Sequence, residues 1–356
     1  MDHILQTFRD RIGAANAGGK PLRIVGGGSK DWYGNTLAGE PFDASAYRGI
    51  VHYDPTELVI TARCGTPLAE VEAVLAENGQ MLAFEPPHFG RAAIGVHATL
   101  GGTIACGLSG PRRQAAGSAR DFVLGAVLMD AKGDVLHFGG QVMKNVAGYD
   151  VSRLLTGSLG VLGLILEVSL KVLPRPAAER SLQFALNETE GIAKLNHWAG
   201  LPLPITASAW HEGQLSLRLS GAVAAVDAAC RKLGGEELAN AAAFWNGLRE
   251  QTHAFFDTPA LWRLSLPSTT PPIALPGAQL IEWGGAQRWL KSDASATDIR
   301  AAAERAGGHA TLFRGGDKAG GVFHPLAPAV LQVHRNLKAA FDPRGIFNPG
   351  RLVQGL

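Results

Sequence analysis

The segment VGGGSK, residues 25–30, follows the short apolar run PLRI and places three consecutive glycines directly after it. Glycine adopts positive φ angles and lets another molecule approach the backbone closely. Successive exposed N–H groups in such a loop form a concave site that suits an anion such as phosphate. An ordinary turn after a strand explains one glycine cluster equally well. The remaining glycine-rich segments must therefore decide between the two interpretations.

Two further glycine-rich segments follow, TLGGTIACGLSGP at 99–111 and TGSLGVLG at 156–163. None of the three contains a dinucleotide fingerprint or a P-loop. The wider region 94–121 is too apolar for a linker and too glycine-rich for regular structure, so we expect a long functional loop there. Three such segments in about 140 residues favour a shared ligand site over three independent turns.

Composition narrows the possible functions. The 356 residues are 46% apolar and 18% charged with a net charge of +2, which fits two or three domains with large cores and argues against nucleic-acid binding. The three cysteines are widely spaced, which favours the reducing cytosol over a disulfide framework. We find no secretion signal and no apolar stretch long enough to span a bilayer, so the sequence predicts a soluble, cytoplasmic protein.

Strand and helix signals alternate along the chain, which predicts a mixed α/β organisation from the first hundred residues. A helix is expected with Thr66 as its N-cap, Pro67 at its first position and Asn78-Gly79 at its end. The 164–173 strand alternates apolar and mixed positions, which predicts one half-exposed face. Predicted strands occupy 21–25, 49–53, 57–64, 80–84, 122–129, 135–140 and 164–173.

Proline- and glycine-rich segments and a change in charge predict three parts of the chain: 1–176, 177–326 and 327–356. Prolines and a charge shift in LPRPAAER, residues 173–180, mark the first boundary. The middle part repeats a strand-strand-helix order twice, which predicts a single sheet backed by two helices. The last part begins as an amphipathic helix with an expected packing face of Val330, Val333, Leu337, Ala340 and Phe341.

The glycine-rich segments and the ending FDPRGIFNPGRL resemble the FAD-binding flavoproteins of the vanillyl-alcohol oxidase / p-cresol methylhydroxylase (PCMH-type) family. More narrowly, EPPHF, GLSGPRR, MKNVAGYDVSRLLTGSLGVLG, LWRLSLP and LIEWGGAQRWL resemble the FAD-binding E subunits of bacterial glycolate oxidases. The resemblance implies an α+β fold: a two-subdomain PCMH-type FAD-binding domain, a smaller ferredoxin-like α+β cap domain, and a C-terminal helix that returns to the FAD-binding domain.

The resemblance also implies which residues contact FAD. The first glycine loop is expected at the diphosphate, the second near the ribityl chain and isoalloxazine ring, and the third near the adenine. Lys30 is equally well explained as a surface lysine. Glu85 and Pro86 have the lesser alternative of strand terminators, and Lys144 has that of a brace for its loop. Because Ser29 stands where some relatives carry a flavin-linked histidine, and His97 and Cys106 are expected as packed residues, we expect non-covalent FAD. The expected set is Val25, Gly26, Gly27, Gly28, Ser29, Lys30, Glu85, Pro86, Thr99, Gly101, Gly102, Thr103, Ser109, Gly110, Lys144, Gly157, Ser158, Gly160, Val161 and Ile165.

Catalytic residues are less clearly indicated. Oxidation of a 2-hydroxy acid needs a cation for the carboxylate and an acceptor for the hydroxyl proton. Arg263 and Arg314 on predicted strands are candidates for the cation. His324 is the one potential ligand in GGDKAGGVFHPL, the region where related catalytic subunits carry a metal motif, and one histidine does not make a metal site. We therefore expect no metal.

Three functions stay open at this point. The first is a FAD oxidoreductase subunit acting on glycolate or a similar small 2-hydroxy acid. The resemblance implies that its partners are a larger FAD subunit and an iron–sulfur subunit, with membrane association only through that complex. The second is a relay or assembly subunit with catalysis on the partner, which the missing metal motif favours. The third is a regulatory nucleotide-binding module that has lost its flavin.

Overall fold

Two large antiparallel β-sheets organise the chain in the computed structural model, which describes residues 1–140 and 149–356. The first part of the chain contains α1 Asp2–Gly18, β1 Leu22–Val25, β2 Glu40–Asp43, β3 Ile50–Asp54, β4 Val59–Arg63, α2 Leu68–Glu77, β5 Gln80–Met81, α3 Leu100–Cys106, α4 Arg113–Ala116, α5 Ala119–Phe122, β6 Val123–Met129, β7 Val135–Gly139, α6 Tyr149–Leu154, β8 Leu164–Lys171 and β9 Leu173–Pro174. The later part contains β10 Ala178–Ala185, α7 Glu188–Ala199, β11 Ile205–His211, β12 Gln214–Gly221, α8 Val223–Leu233, β13 Glu236–Glu237, α9 Ala241–Arg249, β14 Ala260–Ser265, β15 Ala278–Glu282, β16 Gln287–Lys291, α10 Ala296–Arg305, β17 His309–Gly315 and α11 Pro328–Phe341. The predicted α+β class is confirmed.

The first sheet has five strands in the order β3-β4-β8-β6-β7. Its central strand β8 is largely buried, and its two partly exposed residues, Glu167 and Lys171, both lie on the face expected to be half exposed. The pairing with β6 shifts register between Val127 and Leu128. At this shift the strand changes the face that it turns to each core. Leu166 packs into the core under α1, whereas Val168 and Leu170 pack into the core under α2 and α3.

A separate small sheet precedes the five-stranded sheet and carries the first glycine loop. Its strands β1 and β2 run parallel, and β1 also forms a bridge to the C-terminal tail, between Leu22 and Phe347. The amide of Leu22 donates to the Ile346 carbonyl at 2.6 Å. Because the tail pairs with the strand that ends in the glycines, the two ends of the chain meet at this loop.

The second sheet has eight strands in the order β13-β10-β12-β11-β15-β16-β14-β17. Its first four strands, with α7 and α8, follow the βαββαβ order of a ferredoxin-like unit, and its last four repeat that strand order with α10. The predicted single sheet is therefore confirmed. Two helices were expected on it, and α7 is an additional one, which begins with a capping box between Asn187 and Glu190.

The last helix, α11, leads into the tail that returns to the first part of the chain. Lys338 on this helix is buried, and its ammonium donates to Asp342 at 2.7 Å and to the Val161 carbonyl at 2.8 Å. Leu337 and Phe341 pack against the core of the five-stranded sheet, as expected. Val330 and Val333 do not pack, since their exposed fractions are 46% and 55%.

Three other local predictions differ from the structure. Helix α2 begins at Leu68 rather than Pro67, because Pro67 is extended and the Thr66 hydroxyl accepts the Gly49 amide. The expected strand over 80–84 is strand only at Gln80 and Met81. The region 94–121 is not one irregular loop, since three short helices lie within it. One of them, α3, is capped by the Thr99 side chain.

Among the described residues, no helix combines the length and the apolar character that crossing a bilayer requires.

Candidate functional site

A cleft opens between the first glycine loop, helix α3, the 159–165 segment and the C-terminal tail. We call it the glycine cleft. Of the residues predicted to contact FAD, the structure places these at its lining: Val25, Gly26, Gly27, Gly28, Ser29, Lys30, Thr99, Gly101, Gly102, Gly160 and Ile165.

Close backbone packing explains why glycines occupy this cleft. The His97 amide donates to the Gly27 carbonyl at 3.0 Å, and a Cβ on Gly27 would overlap the His97 carbonyl oxygen. A Cβ on Gly101 would lie 2.6 Å from the Cβ of Cys64. Gly28 has a φ of +73°, a conformation that L side chains rarely adopt. The two glycine loops are therefore pressed together, and side chains would separate them.

Helix α3 contributes its first turn to the cleft. The Thr99 hydroxyl caps the helix by accepting the Gly102 amide at 3.3 Å. Thr103 lies one turn further along, away from the lining, and its hydroxyl is buried without a hydrogen-bond partner among the described residues. His97, which precedes the cap, lines the cleft and is exposed, so the expectation of a packed histidine is wrong.

Lys30 is the buried cation of the first loop. Its side chain is buried, and its ammonium makes long hydrogen bonds to the Ser29 hydroxyl at 3.3 Å and the His88 carbonyl at 3.4 Å. In the part of the chain that the structure describes, it has no carboxylate within salt-bridge distance. Burial lowers its pKa, against the opposing influence of Cys106 and Glu250. The alternative of a surface lysine does not fit this position.

The C-terminal tail closes one side of the cleft. Asn348 accepts the Ile24 amide at 2.8 Å and donates to the Leu159 carbonyl at 2.6 Å. Arg351 donates to the Asp31 carbonyl at 2.7 Å and also to the carbonyl of Asn35. Both residues line the cleft, but the sequence did not identify them as site residues. Both residues belong to the FNPGRL ending, which was quoted for the family resemblance. That match could have identified them as site residues.

The other predicted cofactor residues lie elsewhere. Gly157, Ser158 and Val161 line a neighbouring groove beneath α11. Pro86 is buried near the Glu85 carboxylate, which binds Arg218 at 2.8 Å and the Arg112 amide at 2.8 Å. These bonds join the segments around Glu85 and Arg112 to the eight-stranded sheet, and Glu85 has no part in the cleft lining. Lys144, with its neighbour Asn145, lies outside the described residues.

A second, smaller cavity lies between the eight-stranded sheet and the segment that follows α3. We call it the inter-sheet pocket. Ser109 and Gly110, predicted at the cofactor, line this pocket instead of the glycine cleft. The sheet side of the pocket carries Arg263 and Glu282 together with Phe313, Gln287 and Trp289.

Glu282 is fully buried in the sheet beside this pocket. Its carboxylate accepts the Trp289 indole N–H at 2.5 Å and the Gln287 amide at 3.2 Å. Burial raises its pKa to about 7, and the two hydrogen bonds only partly oppose this. A carboxyl group with such a pKa exchanges a proton near neutral pH. The sequence did not identify Glu282, although it stands in the quoted LIEWGG segment.

The three predicted catalytic residues are not together. Arg263 lines the inter-sheet pocket, where it donates to the Tyr33 hydroxyl at 3.3 Å and lies over the Phe313 ring. Arg314 instead donates to the Phe256 carbonyl at 2.7 Å and to a glutamine side chain. His324 bonds Glu304 at 3.0 Å on the outer side of the sheet. A search of the described residues found no group of three or more side chains arranged to hold a metal ion.

Two family profiles match the chain. One described as "FAD binding domain" matches residues 6–139, and one described as "FAD linked oxidases, C-terminal domain" matches residues 315–352. The glycolate oxidase subunit GlcE of Escherichia coli (strain K12) is 50% identical over 99% of this chain and 98% of that protein. The chain belongs to the GlcE family of glycolate oxidase subunits. The resemblance stated from the sequence is thereby confirmed, and so is FAD as the cofactor.

More distant relatives share only part of the chain or only the fold. The glycolate oxidase subunit GlcD of Bacillus subtilis (strain 168) is 33% identical over 37% of this chain and 27% of that protein. A solved structure of alkyldihydroxyacetonephosphate synthase superposes with a TM-score of 0.65 at 16% identity, covering 96% of this chain and 74% of that one. This likeness confirms the PCMH-type FAD-binding fold.

The geometry of the glycine cleft fits FAD. Its glycines bring two backbone segments close enough to exclude any side chain at Gly27 or Gly101. The backbone of the first glycine loop, and the cation Lys30 without a carboxylate partner among the described residues, suit a ligand that carries a diphosphate. The first glycine loop, the first turn of α3 and the C-terminal tail are the segments that would hold it.

Proposed function

We propose that this chain is the FAD-binding subunit of a glycolate oxidase complex and takes part in oxidising glycolate, or a similar small 2-hydroxy acid, to the 2-oxo acid. Its proposed partners are a larger FAD subunit and an iron–sulfur subunit. We place it in the cytoplasm, with any membrane association made through the complex. Membership of the GlcE family and the glycine cleft support this proposal.

One observation supports oxidation of a substrate on this chain: the glycine cleft and the inter-sheet pocket are neighbours. Lys30 lines the cleft, and its ammonium lies 5.8 Å from the centre of the Phe89 ring. Phe89 lines the inter-sheet pocket, in which Arg263 and Glu282 stand. A cofactor in the first cavity and a small acid in the second would therefore be separated by little more than one side chain.

The pocket residues supply two of the functions that the oxidation requires. The Arg263 guanidinium has no carboxylate partner among the described residues, so it is available to bind a substrate carboxylate through paired N–H donors. Glu282, with its pKa near 7, would take the hydroxyl proton in its ionised form. When bound, FAD supplies the two-electron acceptor for the hydride that leaves the α-carbon.

Non-covalent binding of FAD is part of the proposal. Ser29 follows the glycines of the first loop and has no nitrogen or sulfur that could link to the flavin. Cys106 lines the cleft, but burial raises the pKa of its thiol and so disfavours the reactive thiolate. His97 bonds the Gly95 carbonyl through its Nδ1. We expect acid precipitation to release all flavin from the protein.

Anaerobic flavin reduction tests the proposal. The chain is purified alone, loaded with FAD, and mixed with glycolate in a stopped-flow instrument while absorbance is followed near 450 nm. Bleaching that saturates with glycolate concentration is expected. An oxidised spectrum that persists would contradict substrate oxidation on this chain and would support the relay or assembly role, with catalysis on the partner subunit. Failure to bind FAD would leave a nucleotide-binding module.

A further inference from the structure

Lys30 is a buried cation without an anionic partner in the described part of the chain. Its side chain is only 7% exposed, and its two hydrogen bonds, at 3.3 and 3.4 Å, are to neutral oxygens. Burying an ammonium without a counter-charge is costly, so such a group is expected to face an anion when its ligand is bound. Glu250, the carboxylate that raises the pKa of Lys30, is already engaged by the amides of His88 and Phe89 and by Arg249.

FAD offers two places for this cation: its diphosphate and its isoalloxazine ring. The surroundings of Lys30 favour the ring. The ammonium lies over the Phe89 ring, and Phe89 packs edge-on against Trp32 with ring centres 5.3 Å apart. Neither ring lines the glycine cleft itself, but both make the surroundings of this ammonium apolar, which suits an aromatic ring better than a hydrated phosphate. Phe89 also lines the inter-sheet pocket, so Lys30 lies at the end of the cleft that faces the proposed substrate.

The backbone of the first glycine loop suits the diphosphate, because Gly26 and Gly27 lie at the cleft lining. The first turn of α3 offers no free N–H groups, since its amides already donate to carbonyl and hydroxyl groups of this chain. Arg351, a second cation at the lining, makes hydrogen bonds to the carbonyls of Asp31 and Asn35. Lys30 is thus the lining cation that lies beside Phe89 and so faces the inter-sheet pocket.

We propose that the Lys30 ammonium faces the isoalloxazine ring and stabilises its reduced form, which raises the midpoint potential of the bound flavin. Uptake of two electrons and one proton leaves one negative charge on the ring, and a nearby cation in a low-dielectric site stabilises that charge. This inference rests on the proposed function only for the orientation of the ring toward the inter-sheet pocket. It does not require that this chain oxidises glycolate.

The test is a redox titration of the FAD-loaded chain with dithionite and an indicator dye, in the absence of substrate. Lys30→Met removes the charge at similar length. We expect it to lower the equilibrium constant for flavin reduction at least about tenfold, about 30 mV for a two-electron couple. Lys30→Arg keeps the charge and should stay close to the unmodified protein. Lys20→Met removes an exposed lysine, ion-paired with Glu40 at 3.7 Å, and should change nothing.

Two results would overturn the proposal. One is a flavin midpoint potential that is unchanged in Lys30→Met. If the FAD dissociation constant of this variant is also raised tenfold, the ammonium would lie at the diphosphate instead of the ring. The other is complete loss of FAD from folded Lys30→Met and Lys30→Gln. If Lys30→Met is recovered unfolded, Lys30→Gln carries the comparison, because its amide retains donors for Ser29 and His88. The titration uses no glycolate, so inactivity toward glycolate leaves its outcome unaffected.

Discussion

Gly27 and His97 lie in backbone contact, with the His97 amide donating to the Gly27 carbonyl at 3.0 Å and no room for a Cβ between them. We expect Gly27→Ala to push the two glycine loops apart and to weaken FAD binding at least about tenfold, or about 1.4 kcal/mol. Titration of apo-protein with FAD, followed by flavin fluorescence, measures this. Gly13→Ala is the matched control, because a Cβ there meets nothing within 4 Å. Equal FAD affinity in both variants would show that the contact is not needed for the cleft.

Arg263 is predicted to bind the substrate carboxylate. A charged hydrogen bond contributes about 1.5–3 kcal/mol, so Arg263→Met should raise the glycolate dissociation constant in anaerobic flavin reduction by at least about tenfold. Lys at this position keeps the charge but not the paired geometry and should recover only part of the affinity. Arg335→Met, at an exposed position of α11, is the control. Unchanged glycolate binding in Arg263→Met would remove Arg263 from the proposed site.

Glu282 gives the fold a pH dependence of known sign. Its pKa is raised from 4.5 to about 7 by burial, so the folded state binds this proton more tightly than the unfolded chain does. The stabilisation is present below pH 4.5 and is lost as pH rises through about 7, a change of at most about 3 kcal/mol. Glu282→Gln keeps an oxygen acceptor for Trp289 and should flatten the dependence. Urea unfolding of both proteins at pH 5 and pH 8 measures it, and parallel pH profiles would contradict the assignment.

Glu85, in the segment after β5, and Arg218 of the eight-stranded sheet form a buried ion pair at 2.8 Å. Arg218→Met leaves the Glu85 carboxylate buried with Arg112 alone, and we expect a loss of about 3 kcal/mol or more in the free energy of unfolding. The double variant with Glu85→Gln should cost less than the sum of the single changes. Additive single and double effects in urea unfolding would show that the two side chains do not act as a pair.

Glu85 also contributes to the stability of the protein in acid. Burial raises the pKa of Glu85, but Arg218 and Arg112 outweigh burial, so the pKa stays below its ordinary value. Stability from Glu85 is therefore present above its unfolded pKa and is lost as pH falls through its folded pKa. In Glu85→Gln the decline of the unfolding free energy below about pH 5 should be shallower. A decline as steep as in the unmodified protein would assign acid unfolding to other groups.

Local signals made part of the site predictable. The strand followed by Gly26–Gly28 and the glycine-rich segment that begins at Thr99 can each be recognised from a few consecutive residues. Both lie at the glycine cleft. The FNPGRL ending was identified as a family match, but nothing local in it shows that Asn348 reaches Ile24, 324 residues away. The hydrogen bonds of the Asn348 side chain form only because the tail pairs with β1, and this pairing is visible only in the folded chain.

Other expectations failed because tertiary packing overrode local pattern. Gly157 and Ser158 carry a glycine motif, yet the turn they form lies under α11 and not in the glycine cleft. Glu85 reads as a strand terminator, and only the position of β12 shows that it binds Arg218, 133 residues later. Glu282 has no sequence signature at all, because its raised pKa arises from burial in a sheet that forms from distant strands.

The most direct measurement of the central claim is the flavin content of the purified chain before and after acid precipitation. We expect one FAD per chain, all of it released into the acid supernatant, and a strongly reduced FAD content in Gly27→Ala. Flavin that stays with the precipitated protein would contradict non-covalent binding. A folded chain that takes up no FAD on reconstitution would contradict the assignment of the glycine cleft itself.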